Sequence, residues 1–162
     1  MLQIKKLPPE RWREFKALRL EALQNDPLAF GSSYEEEIKF TDKTWKERIK
    51  NTLFATLNDN PVGMIVFLIN PRKKLNHVAE IFGVYVREEH RDKKIGTQLI
   101  ESAINLIRKS KSVIKIKLTV TSVQDAAIKL YSSFGFETVG RLSKELKYEN
   151  KFYDGIIMEK IL

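Results

Sequence analysis

The stretch from Ala79 to Ile107 constrains this chain more than any other, because it changes from strand to helix across a short charged turn. Its first part, Ala79 to Val86, is rich in β-branched and aromatic residues, which is typical of a buried strand. From Gly96 onward, apolar residues recur at the spacing of one face of a helix. The turn between the two contains three basic residues, Arg91, Lys93 and Lys94.

A turn that opens directly into a helix predicts an anion-binding site. The first N–H groups of a helix have no helical partner and lie at the positive end of its dipole, which suits a phosphate. Gly96 would let the backbone approach a ligand closely, and the basic side chains add charge of the right sign. A solvated charged loop that ends in a helix-start glycine fits the same residues, so both interpretations stay open.

Size and composition predict one cytoplasmic domain that spans residues 1–162. The chain contains no cysteine, which excludes disulfides, thiolate metal sites and acyl-cysteine intermediates and fits a reducing compartment. With only two histidines besides, no metal site is expected. The first residues lack the apolar run of a signal peptide, and no stretch approaches the roughly 18 apolar residues of a membrane span.

The charge balance is basic, with 29 Lys and Arg against 21 Asp and Glu, a net charge of +8. An excess of this kind favours an anionic partner such as nucleic acid, a lipid surface or a polyphosphate cofactor. The charges are mixed along the chain, however, and no nucleic-acid recognition motif is present. Binding to polynucleotide or to a membrane is therefore not expected.

The periodicity along the chain predicts the element order βααβββαβαββ. Two early helices are expected, one from Pro8 and Pro9 to about Asn25 and one over 41–50. Three strands should follow at 52–57, 62–69 and 77–86, then a helix from Gly96 to about Ser110 and a strand over 113–120. Ser122 and Asp125 have capping-box spacing, which predicts the start of another helix. Two last strands are expected at 136–139 and 152–162, joined by a basic loop from Arg141 to Lys151. The alternation of helices and strands in the second half implies parallel pairing, so we expect a mixed α/β sheet with helices on both faces.

Three separated signals occur in a characteristic order. A strand carries Glu80 and ends in Val84-Tyr85-Val86, the turn reads Arg91-x-x-Lys94-x-Gly96, and a later helix reads Ala127-x-x-Leu130-Tyr131-x-x-x-Gly135-Phe136. In this combination the chain resembles the GNAT superfamily of acyl-CoA-dependent N-acyltransferases over nearly its whole length. The resemblance implies a mostly antiparallel central sheet with a splay between strands 4 and 5.

The same resemblance implies an enzyme that transfers an acetyl group from acetyl-CoA to a primary amine of a small molecule or peptide by direct attack, without a metal. A non-catalytic acyl-CoA-binding sensor or regulatory module of the same fold is the alternative. Homodimerisation is left open.

The family's pyrophosphate motif is Arg/Gln-x-x-Gly-x-Gly/Ala, and Lys94 takes the place of its first glycine. If that position needs a positive φ, lysine costs ~1–2 kcal/mol there. If it needs only an N–H group, lysine is harmless and adds a cation, and this is the alternative we favour. The resemblance implies that the following residues hold the cofactor: Val84, Tyr85, Val86, Arg91, Asp92, Lys93, Lys94, Ile95, Gly96, Thr97 and Gln124.

Two residues are candidates for proton transfer. The resemblance places Tyr131 near the thioester sulfur, as the general acid that protonates the leaving thiolate; the alternative is a core tyrosine. Glu80 is the candidate general base, because a charged residue on a buried strand is unexpected without a role; the alternative is a structural salt bridge to a lysine or arginine. A strand N–H near Val84 or Val86 would hold the oxyanion.

The acceptor is the least constrained part. By resemblance, its pocket would lie between the segment 30–37, with Phe30 and Tyr34, and the basic loop 141–151. Three consecutive glutamates, Glu35 to Glu37, would attract a cationic amine. The basic loop would instead favour an anionic acceptor, and the sequence does not decide between them.

Overall fold

The computed structural model describes residues 1–162 and contains a mixed α/β arrangement of seven strands and five helices. The strands are β1 Leu2–Lys5, β2 Thr52–Leu57, β3 Asn60–Ile69, β4 Val78–Val86, β5 Lys115–Thr121, β6 Glu137–Tyr148 and β7 Lys151–Ile161. The helices are α1 Trp12–Asn25, α2 Tyr34–Glu37, α3 Asp42–Arg48, α4 Ile95–Lys109 and α5 Asp125–Ser133. None of the helices is both long enough and apolar enough to cross a membrane.

All seven strands belong to one sheet, in the order β1-β2-β3-β4-β5-β7-β6. The pairs β1–β2, β2–β3, β5–β7 and β6–β7 are antiparallel, whereas β4–β5 is parallel. The predicted mixed, mostly antiparallel sheet is therefore confirmed. The parallel pair follows from the chain order, because a helix separates β4 from β5 and a crossover of this kind returns the chain in the same direction.

The pair β4–β5 opens after a short ladder. Val78, Ala79 and Glu80 pair with Lys115, Ile116 and Lys117, and the ladder ends there, although both strands continue. On its other side, β5 pairs with β7 along its whole length, from Lys115 to Thr121. The predicted splay is thus present, and the unpaired part of β4 leaves backbone groups that need other partners.

The chain divides into two compact units, one formed by 1–67 with 83–103 and the other by 68–82 with 104–162. In the first unit, the apolar stripe of α1 packs on β2 and α3. The Phe15 ring lies 5.4 Å from that of Trp45 and 5.8 Å from that of Phe54, both edge to face. These rings belong to a buried cluster that also contains Trp12, Leu18, Ala22, Met64 and Tyr85.

In the second unit, β5 alternates strictly between buried and outward-facing residues. Ile116, Leu118 and Val120 are buried, whereas Lys117 and Thr119 lie on the other face. The rings of Tyr131 and Phe136 contact each other edge to face at 5.8 Å, which joins α5 to the start of the last hairpin.

The element order differs from the prediction by one short helix, α2. Ser33 caps it: its hydroxyl accepts from the Glu36 N–H at 3.2 Å, and the Glu36 carboxylate accepts from the Ser33 N–H at 3.0 Å. This is a capping box, whose Ser-x-x-Glu spacing is visible in the sequence. The capping box predicted at Ser122 is wrong. The helix α5 begins at Asp125, its N-cap residue is Gln124, and no side chain caps it.

The predicted basic loop over 141–151 is also wrong. β6 continues to Tyr148, and a two-residue turn at Glu149 and Asn150, with φ of 49° and 61°, leads into β7. The register of β6 on β7 shifts between Leu142 and Leu146. Asp154 holds the shifted segment by accepting from the Lys144 N–H at 2.8 Å and from Arg141 Nε at 2.7 Å. β6 ends the sheet, and edge strands carry charged residues that make them look like loops.

Candidate active site

The loop that leads into α4 has the backbone geometry of an anion site. Asp92 and Lys94 have φ of 63° and 58°, whereas Lys93 between them does not lie in that region. When residues in the left-handed region alternate with residues outside it, successive N–H groups turn towards the same side and form a concave anion-binding surface. The helix follows at once, since the Gln98 N–H bonds to the Lys94 carbonyl at 3.1 Å. The residues present therefore fit a diphosphate, whose contacts with 92–97 remain a prediction.

The structure reverses our preference at Lys94. We expected this position to need only an N–H group, but the residue adopts the left-handed conformation that the family's glycine would adopt without strain. The lysine therefore has a conformational cost of ~1–2 kcal/mol while adding a cation beside the helix start.

Lys94→Gly should raise the free energy of unfolding by about 1 kcal/mol, because the strain of a β-carbon at positive φ is removed. Urea denaturation of the two proteins measures this difference. Lys93→Gly is the matched control, since it removes the same charge and side chain one residue earlier, where φ is ordinary. The control should be neutral or destabilising. Equal shifts in the two variants would contradict the assignment of strain to Lys94.

Arg91 holds the loop rather than extending into solvent. Its Nε donates to the Val86 carbonyl at 2.9 Å, and its Nη2 donates to the Asp26 carboxylate at 2.7 Å. Arg91 thus fixes the loop against the end of β4. The Val86 carbonyl has one partner in Arg91, and the predicted cofactor contact at Val86 stays a prediction.

Tyr85 lies in the core of the first unit. Its hydroxyl donates to Glu21 at 3.0 Å and accepts from Asn25 at 3.3 Å, and burial raises its pKa. Its ring therefore has a structural role, and only its backbone remains for the predicted cofactor contact. Val84, the other strand residue, is half-buried.

Gly83 interrupts β4 with a bulge that the sequence analysis did not identify. Its φ is +53°, and a β-carbon on it would lie 2.7 Å from Arg19 Nη1. Two hydrogen bonds between β3 and β4 lie on either side of it: the Asn70 N–H donates to the Val78 carbonyl, and the Arg87 N–H donates to the Val62 carbonyl. From the first bond to the second, β4 advances by one residue more than β3 does, so β4 contains one extra residue. A glycine inside a strand pattern was the available signal. We expect Glu80 and Val86 to share a strand face only if side chains alternate without interruption along β4. The bulge interrupts this alternation between the two residues.

A buried ion cluster lies next to this bulge. The Glu37 carboxylate is fully buried and accepts from Arg19 Nε at 3.1 Å, from Arg19 Nη2 at 2.8 Å and from Arg48 Nη1. Burial alone would raise the pKa of Glu37, but the hydrogen bonds and charges of the two arginines outweigh burial and lower it. Glu37 therefore cannot offer its charge to an acceptor amine.

The two aromatic residues predicted to contact the acceptor pack in the first unit. Phe30 is 6% exposed and belongs to the buried cluster, with the Arg19 guanidinium 4.8 Å from its ring centroid. Tyr34 is half-buried and packs against the same cluster. Their role in acceptor binding remains a prediction that no contact here supports.

Glu80 forms the salt bridge that the sequence left open. Its carboxylate lies 3.7 Å from Lys117 Nζ, and the two side chains are 33% and 42% exposed. The two residues are the last cross-strand pair of the β4–β5 ladder. Lys117 was not singled out from the sequence, although the alternation of lysine with isoleucine and leucine in β5 marks it as a residue of the outward face. The pair is too long for a hydrogen bond and partly exposed, so it opens at little cost.

A cavity of about 340 Å³ lies beside this pair. Its wall is mostly apolar, and Glu80 and Lys117 are its only charged residues. Three of its residues are unusually exposed for their type, Leu68 at 42%, Ile69 at 37% and Phe82 at 41%. The full lining is Leu68, Ile69, Asn70, Pro71, Val78, Glu80, Phe82 and Lys117.

Tyr131 is a buried residue of α5, 8% exposed. Burial raises its pKa, so the hydroxyl is a weaker proton donor than that of an exposed tyrosine, and a role as the acid would depend on its position near the sulfur. The contacts described for Tyr131 and for Glu80 involve different residues, so their cooperation in one reaction remains a prediction. Gln124 precedes α5 with its N–H on the Thr121 carbonyl at 2.9 Å and its side chain half-buried.

Residues 12–136 match the Acetyltransferase (GNAT) family. This chain belongs to that family. Within it, an L-amino acid N-acetyltransferase of Escherichia coli (AaaT) is 26% identical over 126 residues, which cover 75% of this chain and 77% of that protein. A GNAT-family acetyltransferase structure from Streptococcus pneumoniae is 26% identical, with a TM-score of 0.88 over 100% of both chains.

A third protein shares the fold at lower identity. YncA of Salmonella typhimurium, an acetyltransferase solved with its cofactor acetyl-CoA, superposes with a TM-score of 0.83 at 16% identity, over 100% of this chain and 94% of that one. Membership of the family makes this GNAT chain an acyltransferase, which confirms the class of enzyme expected from the sequence.

Proposed function

We propose that this chain transfers the acetyl group of acetyl-CoA to a primary amine by direct attack. The observation that carries the proposal is the early end of the β4–β5 ladder at Glu80 and Lys117 in a member of an acetyltransferase family. An arm that bears amide groups can pair with the strand backbone beyond this point. The loop at 92–94 supports the proposal, because its geometry suits the diphosphate of the same donor.

In such a transfer a bond forms between the amine nitrogen and the acyl carbon, and the bond from that carbon to sulfur breaks. Glu80 would accept the proton that the acceptor ammonium must lose. Tyr131 would donate a proton to the departing thiolate. A strand N–H at Val84 would stabilise the oxyanion that develops between these steps. No acyl-enzyme is needed, in keeping with the absence of cysteine.

L-amino acids are the first acceptors to test. The relative from Escherichia coli is described as an L-amino acid N-acetyltransferase, and the similarity to it spans 75% of this chain. Short peptides with an unblocked N-terminus and polyamines complete the panel, because they present the same amine with different neighbouring charges.

The direct test mixes the purified protein, acetyl-CoA and each acceptor and measures the thiol released. We expect thiol release that depends on the acceptor, together with a thermal shift on adding acetyl-CoA alone. Absence of both across the panel would refute the proposal. A thermal shift without release for any amine would instead favour the acyl-CoA-binding sensor.

Glu80→Gln should lower kcat/KM at neutral pH about 10²–10⁴-fold, which is the usual contribution of a positioned base. The affinity for acetyl-CoA should be unchanged, and the deficit should shrink at high pH, where the amine is already deprotonated in solution. Glu101→Gln is the matched control, because Glu101 is an exposed glutamate of α4 that does not line the cavity. A deficit that is equal in both variants, or constant with pH, would remove Glu80 from the mechanism.

A further inference from the structure

We infer that the cavity beside Glu80 is the acceptor site and that it selects an α-amino acid with an apolar side chain, whose carboxylate is bound by Lys117. This inference rests on the proposed acetyl transfer and specifies its substrate class. It places the acceptor in the second unit, at the end of the β4–β5 ladder.

The wall of the cavity determines the preference for an apolar side chain. Leu68, Ile69 and Phe82 all border it, and each leaves more than a third of its surface exposed. Pro71 and Val78 extend the apolar lining. Removing such a surface from water is favourable only if the occupant is apolar too, by about a fourfold gain in binding for each buried methylene group. A volume of about 340 Å³ is at the lower end for small-molecule pockets, which suits an amino acid rather than a long peptide.

The two charges of the cavity match a zwitterion. Glu80 and Lys117 lie 3.7 Å apart without a hydrogen bond, and both are partly exposed. An α-amino acid carries an ammonium and a carboxylate on one carbon, so it can give Glu80 and Lys117 a new partner each and leave neither charge unpaired. The ammonium then lies against the carboxylate that would accept its proton, while the Lys117 contact orients the nitrogen.

The specificity for side chains is tested by kcat/KM for a series of L-amino acids with the unmodified enzyme. From alanine to leucine we expect a rise of about sixtyfold, the product of three methylene steps, and serine should remain close to alanine. Phe82→Ser should reduce the preference for leucine over alanine while leaving the KM for acetyl-CoA unchanged. Equal rates for apolar and polar side chains would refute the inference and leave the acetyl transfer itself intact.

The role of Lys117 is tested by a cycle of two substrates and two enzymes. Leucine and leucinamide differ in the carboxylate, and Lys117→Met removes the ammonium while keeping the aliphatic stem. We expect the variant to lose at least about tenfold in kcat/KM on leucine and little on leucinamide. The ratio of ratios cancels the different basicity of the two amines. Lys147→Met is the matched control, because Lys147 is an exposed lysine of β6 that does not line the cavity.

Each outcome of the cycle is decisive. A loss confined to leucine in Lys117→Met supports the carboxylate contact. Equal losses on both substrates, or a loss of the same size in Lys147→Met, would overturn it. Thiol release with arylalkyl amines at rates above leucine would show that the cavity takes apolar amines without a carboxylate, which contradicts the inference. Absence of release with every amine contradicts the proposed function instead.

Discussion

Glu37→Gln is expected to lower the free energy of unfolding by about 3 kcal/mol or more. The Glu37 side chain is fully buried, and its carboxylate accepts hydrogen bonds from Arg19 and Arg48. Glutamine keeps the shape but removes the charge, so the buried guanidinium of Arg19 loses its counter-ion. Breaking a buried ion pair by removing one partner typically costs 3–5 kcal/mol. Urea denaturation followed by circular dichroism measures the loss.

Glu35→Gln is the matched control, because Glu35 lies on the same short helix and is exposed. Its effect should stay within about 0.5 kcal/mol, as for most surface changes. A loss of equal size in the two variants would show that the charge of the helix, not the buried pair, is responsible.

The pH dependence of the same comparison provides a second test. The pKa of Glu37 is lower in the folded chain than its ordinary value, so the folded state binds its proton less readily than the unfolded state. The stability from the pair is therefore fully present above the unfolded pKa and is lost as the pH falls through the lowered pKa. The difference between wild type and Glu37→Gln should be constant near neutrality and shrink in acid. A difference that grows on acidification would contradict this assignment.

The fold could be predicted because its signals are local. The strand, turn and helix of 78–109 each carry their own periodicity, and the splay followed from the resemblance to the family. The errors lie where local pattern is weak. The charged residues of β6 resemble a loop because an edge strand has little to bury, and α2 is a short helix that depends on the capping box of Ser33.

The candidate site divides in the same way. The loop before α4 was visible from the sequence because a turn and a helix start are adjacent in the chain, and its binding of an anion stays a prediction. The partners of Glu37 and Glu80 were not visible, because Arg19 is 18 residues from Glu37 and Lys117 lies on another strand. The conformation of Lys94 was missed for a different reason: lysine there contradicts the local preference, and the surrounding backbone overrides it.

Tyr131→Phe is expected to lower kcat about 10²–10⁴-fold with little change in the affinity for acetyl-CoA. Phenylalanine keeps the ring that contacts Phe136 at 5.8 Å, so the packing of the second unit should survive. What is lost is the hydroxyl that would protonate the departing thiolate. Steady-state kinetics with the best acceptor, together with titration of acetyl-CoA, separate the two quantities.

Tyr153→Phe on β7 provides the same chemical change in the same unit and should leave kcat within about twofold, as expected of a side chain without a role in proton transfer. A thioester donor with a more acidic thiol leaves without protonation, so it should restore most of the rate to Tyr131→Phe if the hydroxyl is the acid. A deficit that persists with such a donor would mean that Tyr131 positions the arm rather than protonates its sulfur.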